Sequence, residues 1–246
     1  MDKISHEINF KQSLFEEAKS KKIYLNEKCL CRLELYKDIL LEWNKNVNLT
    51  SITDEREIIM KHFIDSLEII KYIQKDNTII DVGTGAGLPG LVIAIYFDGK
   101  VKVTLLDALN KRIAFLKYVV EKLELSNIDI IHGRAEELGK IEKYRERFDY
   151  CVSRAVAGLN ILLEYDIPFI KVKGKALLLK GNNLNDEIKK SNKALEILNC
   201  KIINIYNYSY NVKNEKFERT IVEIQKNKST PLSYPRNYNK IKKSPL

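Results

Sequence analysis

The first 75 residues carry apolar side chains at three- and four-residue spacing, which is typical of amphipathic helices. One stripe comprises Leu30, Leu33, Tyr36, Leu40 and Trp43, and a second comprises Ile59, Phe63, Leu67, Ile70 and Ile73. The polar stretch at 44–51 predicts a turn between the two helices, and Thr53 or Asp54 is placed to cap the second one. We therefore expect an N-terminal helical extension over residues 1–75.

From residue 78 the pattern changes to short β-branched segments that alternate with helical ones, which favours an α/β domain with a mostly parallel sheet over residues 76–226. No helix is predicted between the last two strands, only about ten polar residues, so we expect these strands to pair antiparallel at one edge. The fold class is a Rossmann-like, seven-stranded sheet. Its predicted strands are 78–82, 101–107, 128–131, 148–153, 176–180, 201–208 and 220–225.

The positive charge concentrates at the end of the chain. The formal net charge is +9, and residues 226–246 contain Lys226, Lys228, Arg236, Lys240, Lys242 and Lys243 with no acid. Because three prolines also lie there, the sequence predicts an extended basic tail over residues 227–246. Two interpretations stay open: an arm that contacts RNA phosphates and stacks Tyr234 and Tyr238 on bases, or a solvated terminus.

Several classes of protein are disfavoured by composition. No apolar run approaches the roughly 20 residues of a membrane-spanning helix, and no secretory signal is visible, so we expect a cytoplasmic protein without a membrane partner. The four cysteines, at 29, 31, 151 and 200, form no CxxC pair. We therefore expect core thiols in a reducing compartment, and neither a metal site nor a disulfide framework.

The most informative segment is the glycine-rich turn after the first strand. Asp81, Gly83, Gly85 and Gly87 give the D-x-G-x-G-x-G pattern of S-adenosylmethionine-dependent methyltransferases, and Leu88 follows directly. Because this cofactor carries a sulfonium and an ammonium group, an acid beside the turn makes electrostatic sense. The segment from Gly85 also matches the dinucleotide pattern GxGxxG, so a NAD-dependent oxidoreductase is the alternative.

Two further segments favour S-adenosylmethionine. Asp107 ends the second strand, where an acid can accept hydrogen bonds from both ribose hydroxyls, although NAD enzymes place an acid similarly. Ala135 and Glu136 follow the third strand, where methyltransferases contact the adenine. Each acid has a structural alternative, since Asp81 could satisfy turn amides and Glu136 could be a first-turn helix acid.

The residues after the fourth strand narrow the choice of methyl acceptor. No Asp/Asn-Pro-Pro-Tyr clamp for an exocyclic base amine is present, and Cys151 lies within a strand without the Pro-Cys context of a cysteine nucleophile. An acceptor with its own lone pair remains, and guanine N7 fits because it carries no proton. A protein or small-molecule amine stays possible on these grounds, as does an RNA-binding protein without catalysis.

The chain resembles the bacterial small-subunit ribosomal RNA guanine-N7 methyltransferases, the glucose-inhibited division protein B family. The resemblance covers nearly the whole chain. It is carried by the WNK and NLT segments at 43–50, KHFIDS at 61–66, DVGTGAGLPG at 81–90, LLD at 105–107, SRA at 153–155, Lys180-Gly181, Glu218-Arg219, and the closing YPR and KSPL segments.

The resemblance implies methylation of N7 of a specific guanine in the 530 loop of 16S ribosomal RNA, with S-adenosyl-L-methionine as cofactor. It implies cofactor contacts at Gly83, Leu88, Ala135, Glu136 and Arg154, to which the glycine pattern adds Gly85 and Gly87 and the ribose argument adds Asp107. The expected partner is 16S rRNA or the 30S subunit, and we expect a monomer.

The guanine side of the site is predicted from residues that can hydrogen-bond an unstacked base or hold a phosphate. No dedicated catalytic base is expected, because positioning suffices for methyl transfer. His62, Asp65 and Arg154 are the candidates closest to the chemistry. For His62 the structural alternative is a packed helix histidine, and for the asparagines it is turn formation. The predicted substrate-binding residues are Asn44, Lys45, Asn48, His62, Ser66, Arg154, Lys180 and Arg236.

Overall fold

The computed structural model describes residues 9–181 and 184–246. Its N-terminal region begins with two capped helices. Residues 1–8 of the predicted extension lie outside the described residues. Helix α1 (Phe10–Ser20) begins where the Asn9 side chain accepts the Gln12 backbone N–H, and α2 (Glu27–Val47) begins where Asn26 accepts that of Cys29. The apolar stripe predicted for α2 is confirmed.

The second predicted helix forms, but its geometry changes along its length. It runs through α3 (Glu55–Glu57), a π-helical stretch (Ile58–Ile64), α4 (Asp65–Leu67) and a 3-10 turn (Glu68–Tyr72). Of the two candidate caps, Thr53 and Asp54, it is Asp54 that caps the helix, because its carboxylate accepts the Glu57 N–H at 3.0 Å. Apolar spacing does not distinguish π from α geometry, so the change was not predictable from the pattern.

The strands build one mixed sheet in the order β3-β2-β1-β4-β5-β7-β6, and β7 runs antiparallel to the other six strands. The predicted fold class is confirmed. The elements are β1 (Thr78–Val82), α5 (Gly90–Phe97), β2 (Lys102–Asp107), α6 (Asn110–Lys122), β3 (Ile128–His132), α7 (Ala135–Leu138), β4 (Phe148–Arg154), α8 (Leu159–Asp166), β5 (Ile170–Lys180), α9 (Leu184–Ile197), β6 (Cys200–Val212), β7 (Glu215–Lys226) and α10 (Tyr238–Lys243).

The antiparallel edge is confirmed, but its connection is shorter than the ten-residue loop expected. Strands β6 and β7 continue to Lys213 and Asn214, whose φ angles of 50° and 68° make a two-residue hairpin turn. Among the residues predicted as a loop, Tyr210, Val212 and Phe217 are flanked by polar side chains. The residues predicted as a loop form the half-exposed part of an edge hairpin, where a polar face is compatible with a strand.

The expectation of an extended C-terminal tail is wrong. Residues 238–243 form α10, and Ile241 and Leu246 are buried. Lys226 is fully buried in an ion pair with Glu146 at 2.7 Å. The prolines suggested an irregular arm. The acids that pair with its basic residues are distant in sequence, so the local pattern gave no sign that the segment docks.

The N-terminal helices pack directly on the sheet. Their apolar side chains share one hydrophobic cluster with β1, β2, α5 and α6, while a second cluster fills the opposite face under α8 and α9. A buried hydrogen bond from the Tyr36 hydroxyl to the Ala86 carbonyl joins α2 to the glycine-rich turn. Helix α2 therefore supports the segment from which the site is built.

The cysteines follow the expectation with one exception. Cys29, Cys151 and Cys200 are buried free thiols, and burial raises the pKa of Cys29 and Cys200 to about 12. Cys31 is exposed on α2, so it is not a core thiol. Within residues 9–181 and 184–246, no three His, Cys, Asp or Glu side chains are grouped as a metal site. No helix in that same part of the chain has the length and apolar character needed to cross a bilayer.

Candidate active site

The glycine-rich turn lies where the strand order reverses, between β1 and β4, which is the usual ligand position in an open α/β sheet. Asp81 is fully buried beneath it. Its Oδ2 accepts the Thr84 hydroxyl at 2.6 Å and the Gly90 backbone N–H at 2.7 Å, while its Oδ1 has no partner. Burial raises the pKa of Asp81 to about 7. The structural interpretation therefore applies to Asp81, which holds the turn together.

Asp107 holds the same turn from the neighbouring strand. Its Oδ2 accepts the Gly85 N–H at 2.9 Å and Arg112 Nη1 at 3.1 Å, and its Oδ1 accepts the Leu109 N–H at 2.9 Å. The side chain is buried at the floor of an adjacent cleft. Asp107 thus orders the loop and also faces the space in which a ribose contact was predicted.

This first cleft has a volume of about 140 Å³ and opens at the ends of β1, β2 and β3. Four of the residues predicted to bind the cofactor line it: Gly83, Asp107, Ala135 and Glu136. Gly85, Gly87 and Leu88 do not line it and belong to the turn behind it. The lining residues are Val82, Gly83, Leu106, Asp107, Ala108, Gly133, Arg134, Ala135, Glu136, Val156, Tyr165 and Tyr238.

A second, larger cleft of about 600 Å³ lies on the other side of Val156, which lines both. It brings together His62, Asp65, Arg154 and Lys180, which are far apart in sequence. Arg154, predicted also as a cofactor residue, lies here and not in the first cleft. The lining residues are Ile52, Lys61, His62, Asp65, Arg154, Ala155, Val156, Ala157, Gly158, Leu162, Leu179, Lys180, Gly181, Glu187 and Arg219.

Arg154 is the centre of the polar network in the second cleft. Its Nη1 donates to the Lys61 carbonyl at 2.6 Å and to Asp65 Oδ2 at 3.1 Å. Asp65 Oδ1 in turn accepts the Tyr208 hydroxyl at 2.7 Å. Burial beside the Asp65 carboxylate raises the pKa of Tyr208. The helical segment, the end of β4 and the β6–β7 hairpin are therefore joined through one ion pair.

His62 lies beside this ion pair and is mostly buried. Its Nε2 is 2.9 Å from the Thr50 hydroxyl and its Nδ1 is 3.5 Å from Arg154 Nη2. Since an arginine can only donate, Nδ1 is assigned as the acceptor and Nε2 as the protonated nitrogen. Burial and the nearby Arg154 charge lower the pKa of His62 to about 4, so the ring is neutral at pH 7.

Asn44 and Asn48, predicted to bind the substrate, have structural roles at the turn after α2, and Lys45 lies outside both clefts. Asn44 donates to the Thr50 carbonyl and accepts the backbone N–H groups of Leu49 and Thr50, so it closes the turn that presents Thr50 to His62. Lys45 is exposed at the end of α2 and Asn48 is its left-handed C-cap. Neither Lys45 nor Asn48 lines either cleft.

The other three substrate predictions are placed differently from one another. Ser66 is fully buried and lines neither cleft. Lys180 lines the second cleft, where its Nζ donates to the Ala157 carbonyl at 2.8 Å and pairs with Glu187 at 2.7 Å. Arg236 lies away from that cleft, and its guanidinium pairs with Glu164. Its predicted contact with RNA therefore has no support from this geometry.

Sequence reasoning missed several cleft residues. Arg219 lines the second cleft, with Nε 3.7 Å from Asp65 Oδ1, and Glu187 also lies there. Tyr165 and Tyr238 line the first cleft. Arg219 belongs to a segment that carried the family resemblance, so a signal existed for it. Tyr165 carried no such signal. Tyr238 was considered only as a base-stacking residue of an RNA-contacting arm, because no local pattern shows that the C-terminal segment docks at the first cleft.

Comparison with known proteins identifies the family of this chain. A family model described as GidB, rRNA small subunit methyltransferase G, matches residues 30–220. The chain belongs to this family. A GidB-family relative, the ribosomal RNA small subunit methyltransferase G of Alkaliphilus metalliredigens (strain QYMF), is 44% identical over 225 residues, which cover 91% of this chain and 93% of the relative. The protein of the same name from Acetivibrio thermocellus is 45% identical over 241 residues, or 98% of each chain.

The fold of this GidB-family chain is also found in distant structures. The crystal structure of NSun6 from Pyrococcus horikoshii with SFG superposes with a TM-score of 0.54 at 13% identity. The superposition covers 68% of this chain and 52% of that one. This supports the Rossmann-like methyltransferase fold and, at this identity, nothing finer.

Proposed function

We propose that the protein transfers a methyl group from S-adenosyl-L-methionine to N7 of a specific guanine in the 530 loop of 16S ribosomal RNA. The observation that carries this proposal is the meeting of two clefts at Val156. One is lined by Gly83 of the glycine turn and by acids suited to an adenosine-bearing ligand. The other contains Arg154, Lys180 and a carboxylate, groups suited to a nucleotide. Relatives named as rRNA small subunit methyltransferases support the same reaction class.

The first cleft fits the cofactor on two observations. Glu136 Oε1 is buried without a hydrogen-bond partner, since Arg134 Nη1 is 3.8 Å away, so an N–H group of a ligand such as the exocyclic amine of adenine would satisfy it. At Gly83 a Cβ atom would lie 2.9 Å from Val156 Cγ2, so glycine keeps the cleft floor open. We therefore assign Gly83, Asp107, Ala135 and Glu136 to cofactor binding, while Gly85, Gly87 and Leu88 shape the turn.

The bound cofactor supplies an electrophilic methyl group on sulfonium sulfur. Guanine N7 would accept this methyl group with its own lone pair, so no residue of the chain would have to move a proton. The protein has to align the two reactants and exclude water, which is why no general base is predicted. The positive charge shifts onto the methylated guanine, and Asp65 and Glu187 are the acids that line its cleft.

The protonation state of His62 fits a positively charged reaction centre. A neutral imidazole avoids repulsion with both Arg154 and a cationic cofactor. With Nδ1 accepting from Arg154 and Nε2 donating to Thr50, the ring fixes the orientation of the guanidinium. We assign His62 as a positioning residue and Arg154 as the group that contacts the substrate.

We further infer that the partner is 16S rRNA or the 30S subunit and that the protein acts as a monomer in the cytoplasm. Four basic side chains, Lys61, Arg154, Lys180 and Arg219, line the second cleft, and such side chains bind the phosphates of a nucleic acid. Ribosomal subunits as substrate would place the reaction in the cytoplasm.

The test is methyl transfer from radiolabelled S-adenosyl-L-methionine to three acceptors in parallel: unmodified 30S subunits, naked 16S rRNA and bulk protein. We expect label in RNA, and a strand break at the modified guanine after reduction and aniline treatment. Label confined to protein, or transfer to RNA without such a break, would overturn the assignment of the acceptor atom.

A pair of glycine variants separates the site from the scaffold. Gly83→Asp should abolish cofactor binding with a nearly unchanged circular dichroism spectrum. Gly99→Asp is the matched control, because Gly99 also has a positive φ (+83°) but lies in the turn before β2. If both variants lose cofactor binding equally, Gly83 acts through backbone strain and the binding assignment fails.

A further inference from the structure

The C-terminal segment, residues 227–246, reaches the outer rim of the first cleft. Asp107 and Glu136 form its buried floor, whereas Tyr238 is 37% exposed and lies at the mouth. The Arg134 guanidinium carbon is 4.9 Å from the centre of the Tyr238 ring, and Lys242 Nζ donates to the Tyr238 hydroxyl at 3.1 Å. The tyrosine ring therefore has a defined position at the opening.

Buried charges fix this segment in place. Glu164 is fully buried and accepts three groups of Arg236: the backbone N–H at 2.7 Å, Nε at 2.8 Å and Nη2 at 2.7 Å. Arg145 donates to the carbonyls of Thr230 at 2.7 Å and Tyr234 at 2.8 Å. Because an uncompensated buried Glu164 would be costly, the segment is anchored just before Tyr238.

We propose that Tyr238 is an adenine-contacting residue of the cofactor site and that residues 227–246 form the outer wall of that site. The inference rests on the proposed use of S-adenosyl-L-methionine. Stacking of a purine on an aromatic side chain is a general mode of base recognition, because every base has a flat π face. Glu136, on the floor of the same cleft, has the free acceptor that an adenine amine requires.

Tyr165 completes the aromatic part of this wall. Burial, with the nearby Glu136 carboxylate, raises the pKa of Tyr165 to about 12, so its hydroxyl stays neutral. Two tyrosines, a guanidinium and an unpartnered carboxylate oxygen thus meet at one end of the cleft. This set is suited to a neutral, flat, hydrogen-bonding group and not to a phosphate, which the carboxylate would repel.

The experiment measures binding by the full-length protein with isothermal titration calorimetry, using S-adenosyl-L-methionine and S-adenosylhomocysteine as probes. Tyr238→Ala should raise the Kd for both about 10-fold, and Tyr238→Phe should stay within about twofold of the wild type. Tyr238→Leu keeps apolar bulk without a ring and should behave as the alanine variant. Tyr24→Ala is the matched control, because Tyr24 is exposed and lines neither cleft.

The outcomes distinguish this inference from the proposed function. If the wild type binds the probes and Tyr238→Ala and Tyr238→Leu bind them equally well at unchanged Tm, the inference is overturned and the proposed function stands. If the variants weaken only the affinity for 30S subunits, the segment is an RNA arm, which also overturns it. A wild type that binds neither probe refutes the cofactor assignment and this inference with it.

Discussion

The buried Asp81 makes a prediction about pH: the stability of the wild type relative to its neutral mimic, Asp81→Asn, should fall as pH rises from 5 to 8. The Asp81 pKa is raised from 3.8 to about 7 by burial, despite the hydrogen bonds from Thr84 and Gly90. Between these values the folded protein binds a proton that the unfolded chain releases. The stability of the wild type therefore falls as pH rises through this window.

The magnitude is set by the size of the shift. A pKa difference of about three units corresponds to about 4 kcal/mol at 1.36 kcal/mol per unit. The interval from pH 5 to pH 8 covers about two of those units, or about 3 kcal/mol. In Asp81→Asn the amide oxygen can still accept from Thr84 and Gly90, while its NH₂ takes the position of the unpartnered Oδ1. The variant keeps the shape and loses the titration.

The assay is urea unfolding of wild type and Asp81→Asn at constant ionic strength from pH 5 to pH 8. The difference in unfolding free energy, wild type minus variant, should become more negative by about 3 kcal/mol across that range. Taking the difference cancels the titration of all other groups. A difference that does not change with pH would mean that folding leaves the Asp81 pKa unshifted, and one that rises with pH would mean that the fold stabilises the charged carboxylate. Either result would refute this reasoning.

Three further variants test other features of the structure. The wild type should lose about 2 kcal/mol of stability between pH 7 and pH 5, because the His62 pKa of about 4 in the folded state lies below the unfolded value of 6.5. His62→Asn should not show this loss. Urea unfolding at the two pH values checks this. Glu164→Gln should cost about 3 kcal/mol in urea unfolding and expose the C-terminal segment to protease, whereas Glu142→Gln, in a solvent-exposed pair, should change neither. Gly87→Ala should destabilise by at least about 2 kcal/mol more than Gly85→Ala in the same assay. A Cβ at Gly87 would lie 2.3 Å from a buried leucine methyl, while the one at Gly85 would meet only a carbonyl oxygen at 4.0 Å, so equal losses would contradict the overpacking argument.

Elements with strong local signals were predictable. The stripe of α2 and the glycine turn carry their structure within a few residues, and β1 has the predicted bounds. The Asp54 cap is equally local, since its carboxylate accepts an N–H three residues later. In these places spacing alone determined the geometry.

Features that depend on distant partners were not predictable. The C-terminal segment folds back because the buried Glu164 pairs with Arg236 and the half-buried Glu146 accepts the Thr230 N–H beside its pair with Lys226. No local pattern links these positions. The β6–β7 hairpin extends through polar residues because one face of an edge strand tolerates them. Asn44 shows the same limit of local patterns within the site. An asparagine can close a turn or contact a base, so the residue type alone does not distinguish the two roles.

The hydrogen bond between Tyr36 and Ala86 has a consequence for how the molecule opens. It joins a helix of the N-terminal region to the loop after β1, within a hydrophobic cluster that both share. Local fluctuations that expose backbone amides occur in cooperative units defined by such shared contacts. Amides of α2 and β1 should therefore exchange with deuterated solvent with similar free energies, as one unit, although the apolar pattern changes between them at about residue 75.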